Sequence, residues 1–261
     1  MDSISTKLKR HYDSRASENR NATSPDYNLR EVEISTISKH LSNGQKILDL
    51  GCGNGYSTLM YASKFNSEFL GIDYSKPMID AEKNLTVKFN LLGKINFEVR
   101  DVINHKLPNS YYDYVITQRL LINLPSEDIQ KKMINNIYKS LKLGGKYLMC
   151  EGTIQGHQRL NELRLQAGLE EIPSTSSSNF WSLKLDELKI HEYIKNKFII
   201  ESIHPFGTYF LVSRIIHPLL VTPKIPKYNA KINSIAAELQ TTLKCNPLDI
   251  GHQRLYVLRK I

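Results

Sequence analysis

Apolar positions in this chain follow two rhythms that alternate. Short dense runs such as Ile47-Leu48-Asp49-Leu50, Phe69-Leu70-Gly71-Ile72 and Tyr147-Leu148-Met149-Cys150 have the length and apolar content of buried strands. Residues 95–99 and 112–118 give two more. Between them come helical signals. Leu59, Met60, Ala62 and Phe65 recur at helical spacing over residues 56–65. Ser75-Lys76-Pro77 is a helix start, and a helix ends near Leu143 before the Gly144-Gly145 turn. Runs at 198–203 and 255–258 supply two late strands. The alternation predicts an α/β fold, a doubly wound, seven-stranded and mostly parallel sheet.

The remaining segments divide around that core. Residues 1–44 are expected to form an N-terminal helical cap, with a helix over 27–41 whose apolar stripe is Val32, Ile34, Ile37 and Leu41. Residues 45–261 carry the core with insertions at about 153–197 and 204–253. Helices are predicted over 156–168 and 185–194, with a polar loop at 173–179. The second insertion is expected to be a helical lid. Phe180, Trp181, Tyr193, Phe206, Tyr209 and Phe210 are either the lining of an acceptor pocket or the core of that lid.

The run from Ile47 to Gly55 carries the chemistry. Apolar residues and Asp49 lead into Gly51-Cys52-Gly53-Asn54-Gly55, a strand entering a turn where backbone passes close to a ligand. A dinucleotide fingerprint reads G-x-G-x-x-G, whereas this turn reads G-x-G-x-G with an acid two residues ahead. That pattern resembles motif I of the class I S-adenosylmethionine-dependent methyltransferases. Other segments add to the likeness: Asp73 ends the second run, Asp101-Val102 follows the third, and Asp113-Tyr114-Val115-Ile116 opens the fourth. The resemblance covers about residues 45–152, with weaker matches at the C-terminus. It implies a Rossmann-like methyltransferase fold and S-adenosylmethionine as cofactor, released as S-adenosylhomocysteine.

The expected cofactor contacts follow. Gly51, Gly53 and Asn54 form the turn, and Asp49 lies near the cationic end of the cofactor. Asp73 stands 22 positions after Gly51, close to the offset of an acid that binds ribose hydroxyls. Tyr74 or Met78 is placed to pack on adenine, with Ser75 capping the next helix. By resemblance, Asp101 meets the adenine amino group, the backbone of Val102 completes that edge, and Gln118 lies beside the cofactor. The turn offers no partner for a carboxylate. Tyr12 and Arg30 in the cap are candidates, Arg30 because guanidinium forms a bidentate fork.

Composition sets bounds on the acceptor. Nothing resembles a signal peptide or a membrane span, and Cys52, Cys150 and Cys245 show no metal-ligand spacing, so a reducing cytoplasm is expected. Net charge is +9, of which residues 203–261 carry +6. A basic surface fits nucleic acid or an anionic small substrate, or is simply solvated. Two details bear on the family reading. Asn123 stands where many relatives have His, and the Asn/Asp-Pro-Pro-aromatic motif of base-amine methylation is missing, which counts against nucleic acid bases. The expected acceptor is a small molecule or glycan methylated on oxygen. An RNA-directed methyltransferase and a cofactor-binding protein without transferase activity are the alternatives. An alcohol acceptor needs a base. His157, after the fifth strand, is the first candidate, Glu151 at that strand's end the second, and His204 a third.

Overall fold

The computed structural model describes residues 3–175, 180–243 and 248–261. Its strands are β1 (Lys46–Leu50), β2 (Glu68–Asp73), β3 (Lys94–Val99), β4 (Tyr112–Gln118), β5 (Leu141–Gly152), β6 (Phe198–His204) and β7 (Gln253–Lys260). They form one sheet in the order β3-β2-β1-β4-β5-β7-β6. The first five are parallel neighbours, and β7 lies antiparallel between β5 and β6. The order reverses between β1 and β4, and that switch point opens a crevice at the strands' C-terminal ends.

Strand periodicity explains why both faces are covered. In β5, Tyr147 and Met149 enter one apolar cluster, while Leu148 and Cys150 enter the other. Tyr256 and Leu258 of β7 join the first, and Leu255 and Val257 the second. Successive side chains point to opposite faces, so a strand that is apolar at every position needs helices on both. One layer holds α5 (Glu127–Ser140) and α7 (Glu187–Ile194). The other holds α2 (Tyr27–Ser38), α3 (Tyr56–Ala62), α6 (Ile154–Gln166), α8 (Gly207–Leu211) and α10 (Lys231–Thr242). Two further helices, α1 (Ile4–Arg15) and α4 (Lys76–Thr86), pack together at the C-terminal edge of β2. Side-chain caps define several starts: Asp26 for α2, Ser75 for α4, Ser126 for α5 and Thr153 for α6. Each contributes about 1 kcal/mol.

The second insertion is helical. α8 continues through a π turn (Val212–Ile216) into α9 (His217–Val221), and α10 follows. Its aromatics are core rather than cavity wall: Phe206, Tyr209 and Phe210 have no exposed surface. They fill the space between α2, α10 and the sheet, which apolar rings do more favourably than they line a wet cavity. Trp181 donates to the Leu124 carbonyl and Tyr193 to that of Lys131, so these also pack inward. The polar loop expected at 173–179 lies partly outside the described residues, as does Cys245. No helix among the described residues is long and apolar enough to cross a membrane.

Candidate active site

The glycine turn sits at the end of β1 and is held by its neighbour strand. The amides of Gly51 and Cys52 donate to the Ile72 carbonyl at 2.8 and 3.1 Å. The Gly53 amide donates to Asp73 Oδ2, and the Ser75 amide to Asp73 Oδ1, each at 2.9 Å. Asp73 therefore ties the ends of β1 and β2 together. Burial pushes its pKa up to about 6 against these hydrogen bonds. Gly53 has φ +58°, and a Cβ there would lie 2.6 Å from the Thr23 methyl, so glycine is required twice over.

A cavity of about 430 Å³ lies over this turn. Gly51, Gly53, Asp73, Tyr74, Met78, Asp101, Val102 and Gln118, all expected as cofactor contacts, line it. Asp101 also caps its own loop, accepting from the Ile103 amide and Asn104 Nδ2. The roof is α1, through Ser5, Thr6, Leu8, Lys9 and Tyr12. One residue beyond Tyr12, Asp13 accepts from the hydroxyl of Ser75, which fastens the roof to the cap of α4.

A second cavity of about 450 Å³ adjoins the first. Tyr12, Thr23, Arg119 and Asn123 line both, forming the boundary. His157 and His252 line the second cavity only, with their rings 6.0 Å apart. Burial, and then Lys184, holds His157 below its ordinary pKa. Its Nδ1 is buried without a hydrogen-bond partner among the described residues.

The family described as a methyltransferase domain matches residues 41–198. The chain belongs to the S-adenosylmethionine-dependent methyltransferases. Phosphoethanolamine N-methyltransferase 3 of Arabidopsis thaliana is 31% identical over 111 residues, 42% of this chain and 22% of that protein. The mRNA cap guanine-N(7) methyltransferase of Saccharomyces cerevisiae is 28% identical over 229 residues, 80% of this chain and 51% of that protein. A carboxy-S-adenosyl-L-methionine synthase of Nautilia profundicola is 30% identical over 135 residues, 51% of this chain and 56% of that protein. The chain thus spans from about a fifth to just over half the length of these curated relatives. Among solved structures, magnesium protoporphyrin IX methyltransferase from Synechocystis with bound S-adenosylhomocysteine superimposes with a TM-score of 0.60 at 13% identity. That match covers 99% of this chain and 100% of the other, and supports the fold. The methyl donor of the family is S-adenosylmethionine.

Other expected site residues of this methyltransferase lie outside the cavity walls. Asp49 is buried behind the turn, where Thr58 donates to it at 2.6 Å. Asn54 is buried and meets the Tyr56 amide at 3.4 Å. Arg30 is buried within α2, donating to Ser57 Oγ at 3.4 Å with its guanidinium over the Tyr56 ring. The cation that faces both cavities is Arg119, bonded to both oxygens of Glu33 at 2.8 and 2.9 Å. Glu33 keeps its guanidinium charged despite burial. Arg119 has φ +58°, which turns it from the strand direction toward the site. Glu151 lines neither cavity. Its carboxylate accepts from the amides of Leu120, Leu121 and Ile122 at 3.1–3.3 Å, which closes the short 3-10 turn after β4. His204 is also remote, paired with His40 at 3.1 Å. Sequence reading did not single out Thr23, Arg119, Lys184 or His252 as site residues. Arg119 alone had a legible signal, its place directly after Gln118 at the end of β4.

Proposed function

We propose that this chain transfers a methyl group from S-adenosylmethionine to a small molecule held in the second cavity, on an oxygen atom. The observation that carries the reading is the pair of adjoining cavities with the shared boundary Tyr12, Thr23, Arg119 and Asn123. The residues of the first cavity fit the cofactor. Asp73 retains acceptor capacity for a ribose diol, since each carboxylate oxygen has two lone pairs and the turn uses one. Met78, Ile103 and Leu120 offer apolar surface to adenine, and Asp101 and Val102 its polar edge. Arg119 and Tyr12 lie where the carboxylate end needs donors, in place of Arg30.

S-adenosylmethionine supplies an already activated methyl group. The protein's part is alignment, exclusion of water and removal of one proton. The roof α1 and the boundary residues align the partners. His157 accepts the acceptor's hydroxyl proton as the new C–O bond forms and the C–S bond breaks. Its place in the lining of the second cavity suits that step.

The test is incubation with methyl-labelled cofactor and fractionated metabolites or cell-envelope extract, followed by NMR of the product. An O-methyl product lost in His157→Ala, with S-adenosylhomocysteine affinity intact, is the expected result. Cofactor binding with no transfer to any fraction would overturn the enzyme reading. A second reading is nitrogen methylation of an RNA cap, favoured by the cap methyltransferase match across 80% of the chain. A labelled capped RNA after the same incubation would select it.

A further inference from the structure

The second cavity has an uneven charge that the transfer of a methyl group does not require. Its lining holds Arg15, Arg119, Arg164, Lys184, Arg214 and Lys227, against the single carboxylate of Asp26. Three of these cations are answered by acids. Arg15 pairs with Glu18, Arg119 with Glu33, and Arg214 with Asp26. Of the other three, Lys227 is exposed, and Arg164 and Lys184 have no acid at contact distance, though Glu170 attracts Arg164 from farther away. Lys184 Nζ donates to the Ser174 carbonyl at 2.9 Å, and Arg164 Nε to that of Glu170 at 2.8 Å. Arg164 also donates to the Arg214 carbonyl. These are neutral acceptors, and the described residues place no carboxylate within ion-pair distance of either cation. His157 and His252 stand in the same wall, each with a buried and unpartnered Nδ1.

Lys184 and Arg164 are only partly buried, so neither is forced to pair, but two half-buried cations with no acid at contact distance leave the cavity wall attractive to an anion. Burial lowers the pKa of Lys184, and burial followed by repulsion from Arg214 lowers that of Arg164. His252 is driven well below its ordinary value by burial, then by Arg214, Lys184, His157 and Arg119. Several cations therefore act on one spot.

We infer that the acceptor is an anion, a small molecule whose phosphate or carboxylate is gripped by Lys184 and Arg164 while its hydroxyl lies between His157 and the boundary residues Tyr12 and Asn123. The inference rests on the methyl-transfer reading and names its substrate class. The anchor supplies the missing counter-charge and fixes the acceptor's far end. Binding energy spent there orients the near end for transfer.

The test is thermal unfolding of the full chain with inorganic phosphate and, separately, with malonate, at ionic strength held constant with chloride. A ligand that binds only the folded state raises Tm by mass action. Phosphate or malonate should raise Tm above the chloride control, and whichever acts more strongly distinguishes phosphate from carboxylate chemistry. Lys184→Gln should abolish the rise and Lys184→Arg should keep it. S-adenosylhomocysteine should stabilise all three proteins alike, which shows that the variants are folded and the first cavity intact. No rise with either anion, or a rise that survives Lys184→Gln, would overturn the anion site. A wild-type protein that responds to anions but not to S-adenosylhomocysteine would overturn the cofactor reading and leave the anion site standing.

Discussion

Replacing Asp73 with alanine separates cofactor binding from folding, because the carboxylate contributes to the two in opposite ways. In the folded chain it accepts from the amides of Gly53 and Ser75, each at 2.9 Å. Removing it leaves two buried donors unpaired, a cost of about 1–3 kcal/mol each. Yet the same carboxylate is held at a pKa of about 6 against an ordinary 3.8 by burial. That difference means the charged form is disfavoured by about 3 kcal/mol at neutral pH, after its hydrogen bonds are counted. The two effects offset, so Asp73→Ala should change unfolding free energy by no more than about 3 kcal/mol. Cofactor binding has no such offset. Loss of the ribose acceptor should cost about 1–3 kcal/mol, a fall in affinity of about 5- to 150-fold. Calorimetric titration with S-adenosylhomocysteine measures the second quantity and urea unfolding the first. Unchanged affinity in a folded Asp73→Ala protein would refute the assignment of Asp73 to the cofactor.

Further outcomes follow from the same geometry. Deleting residues 1–15 removes α1, which commits Leu8 to the interior, so the core should stay folded while S-adenosylhomocysteine affinity falls at least about tenfold; titration and circular dichroism of the truncated chain check both. Glu151→Gln should lower the urea midpoint through the amides of Leu120, Leu121 and Ile122 but leave the shape of the pH–rate profile unchanged; loss of the acidic limb of that profile would make Glu151 the base after all. His40 is pushed down to about 4 by burial and then by His204. Its unfolded value is near 6.5, so the unfolded chain binds the extra proton; this stability is fully present above about pH 6.5 and is lost as pH falls through about 4. Urea midpoints across that window should fall less in His40→Asn than in wild type, and identical slopes would defeat the assignment.

The parts of the molecule that were legible in sequence are those where local pattern and local geometry coincide. The dense run of β1 and the positive-φ glycines at 51 and 53 act within a few residues of where they sit, and the acid ending β2 stands at a fixed offset from that turn. The same holds for Ser75, expected as a cap and found accepting from the Met78 amide. The misplacements are residues whose role depends on what packs over them. Arg30 lies on a helix whose buried face turns it behind the glycine turn, toward Ser57, and no spacing within α2 reveals that. Phe206, Tyr209 and Phe210 carry the apolar signal of either a wall or a core, and α10 and α2 closing over them decide for core. Glu151 looks like an acid at a strand end. Its three partners lie 29–31 residues away in sequence, beyond any local reading. Lys184 and His252 come from separate segments, so their meeting in one cavity is a property of the fold alone.

The distribution of positive charge yields a prediction that separates the two acceptor readings. Residues 203–261 carry +6 in sequence, which on its own favours a nucleic-acid surface. In the fold that charge is divided. Arg254 is buried between Glu187 and Asp249, and Arg259 pairs with Glu201 on the outer part of the sheet. Arg214 instead turns into the second cavity with Asp26. A surface that follows a nucleic-acid backbone neutralises many phosphates, and its affinity falls with salt at a log–log slope of about −0.9 for each phosphate contacted on duplex DNA. A cleft site built on Lys184 and Arg164 meets one anionic group. Its acceptor KM should therefore rise only gently between low and moderate salt, while kcat holds. A KM that climbs by orders of magnitude over the same range would show a polyanion on the outer surface, and would set aside the small anion in the cleft in favour of RNA.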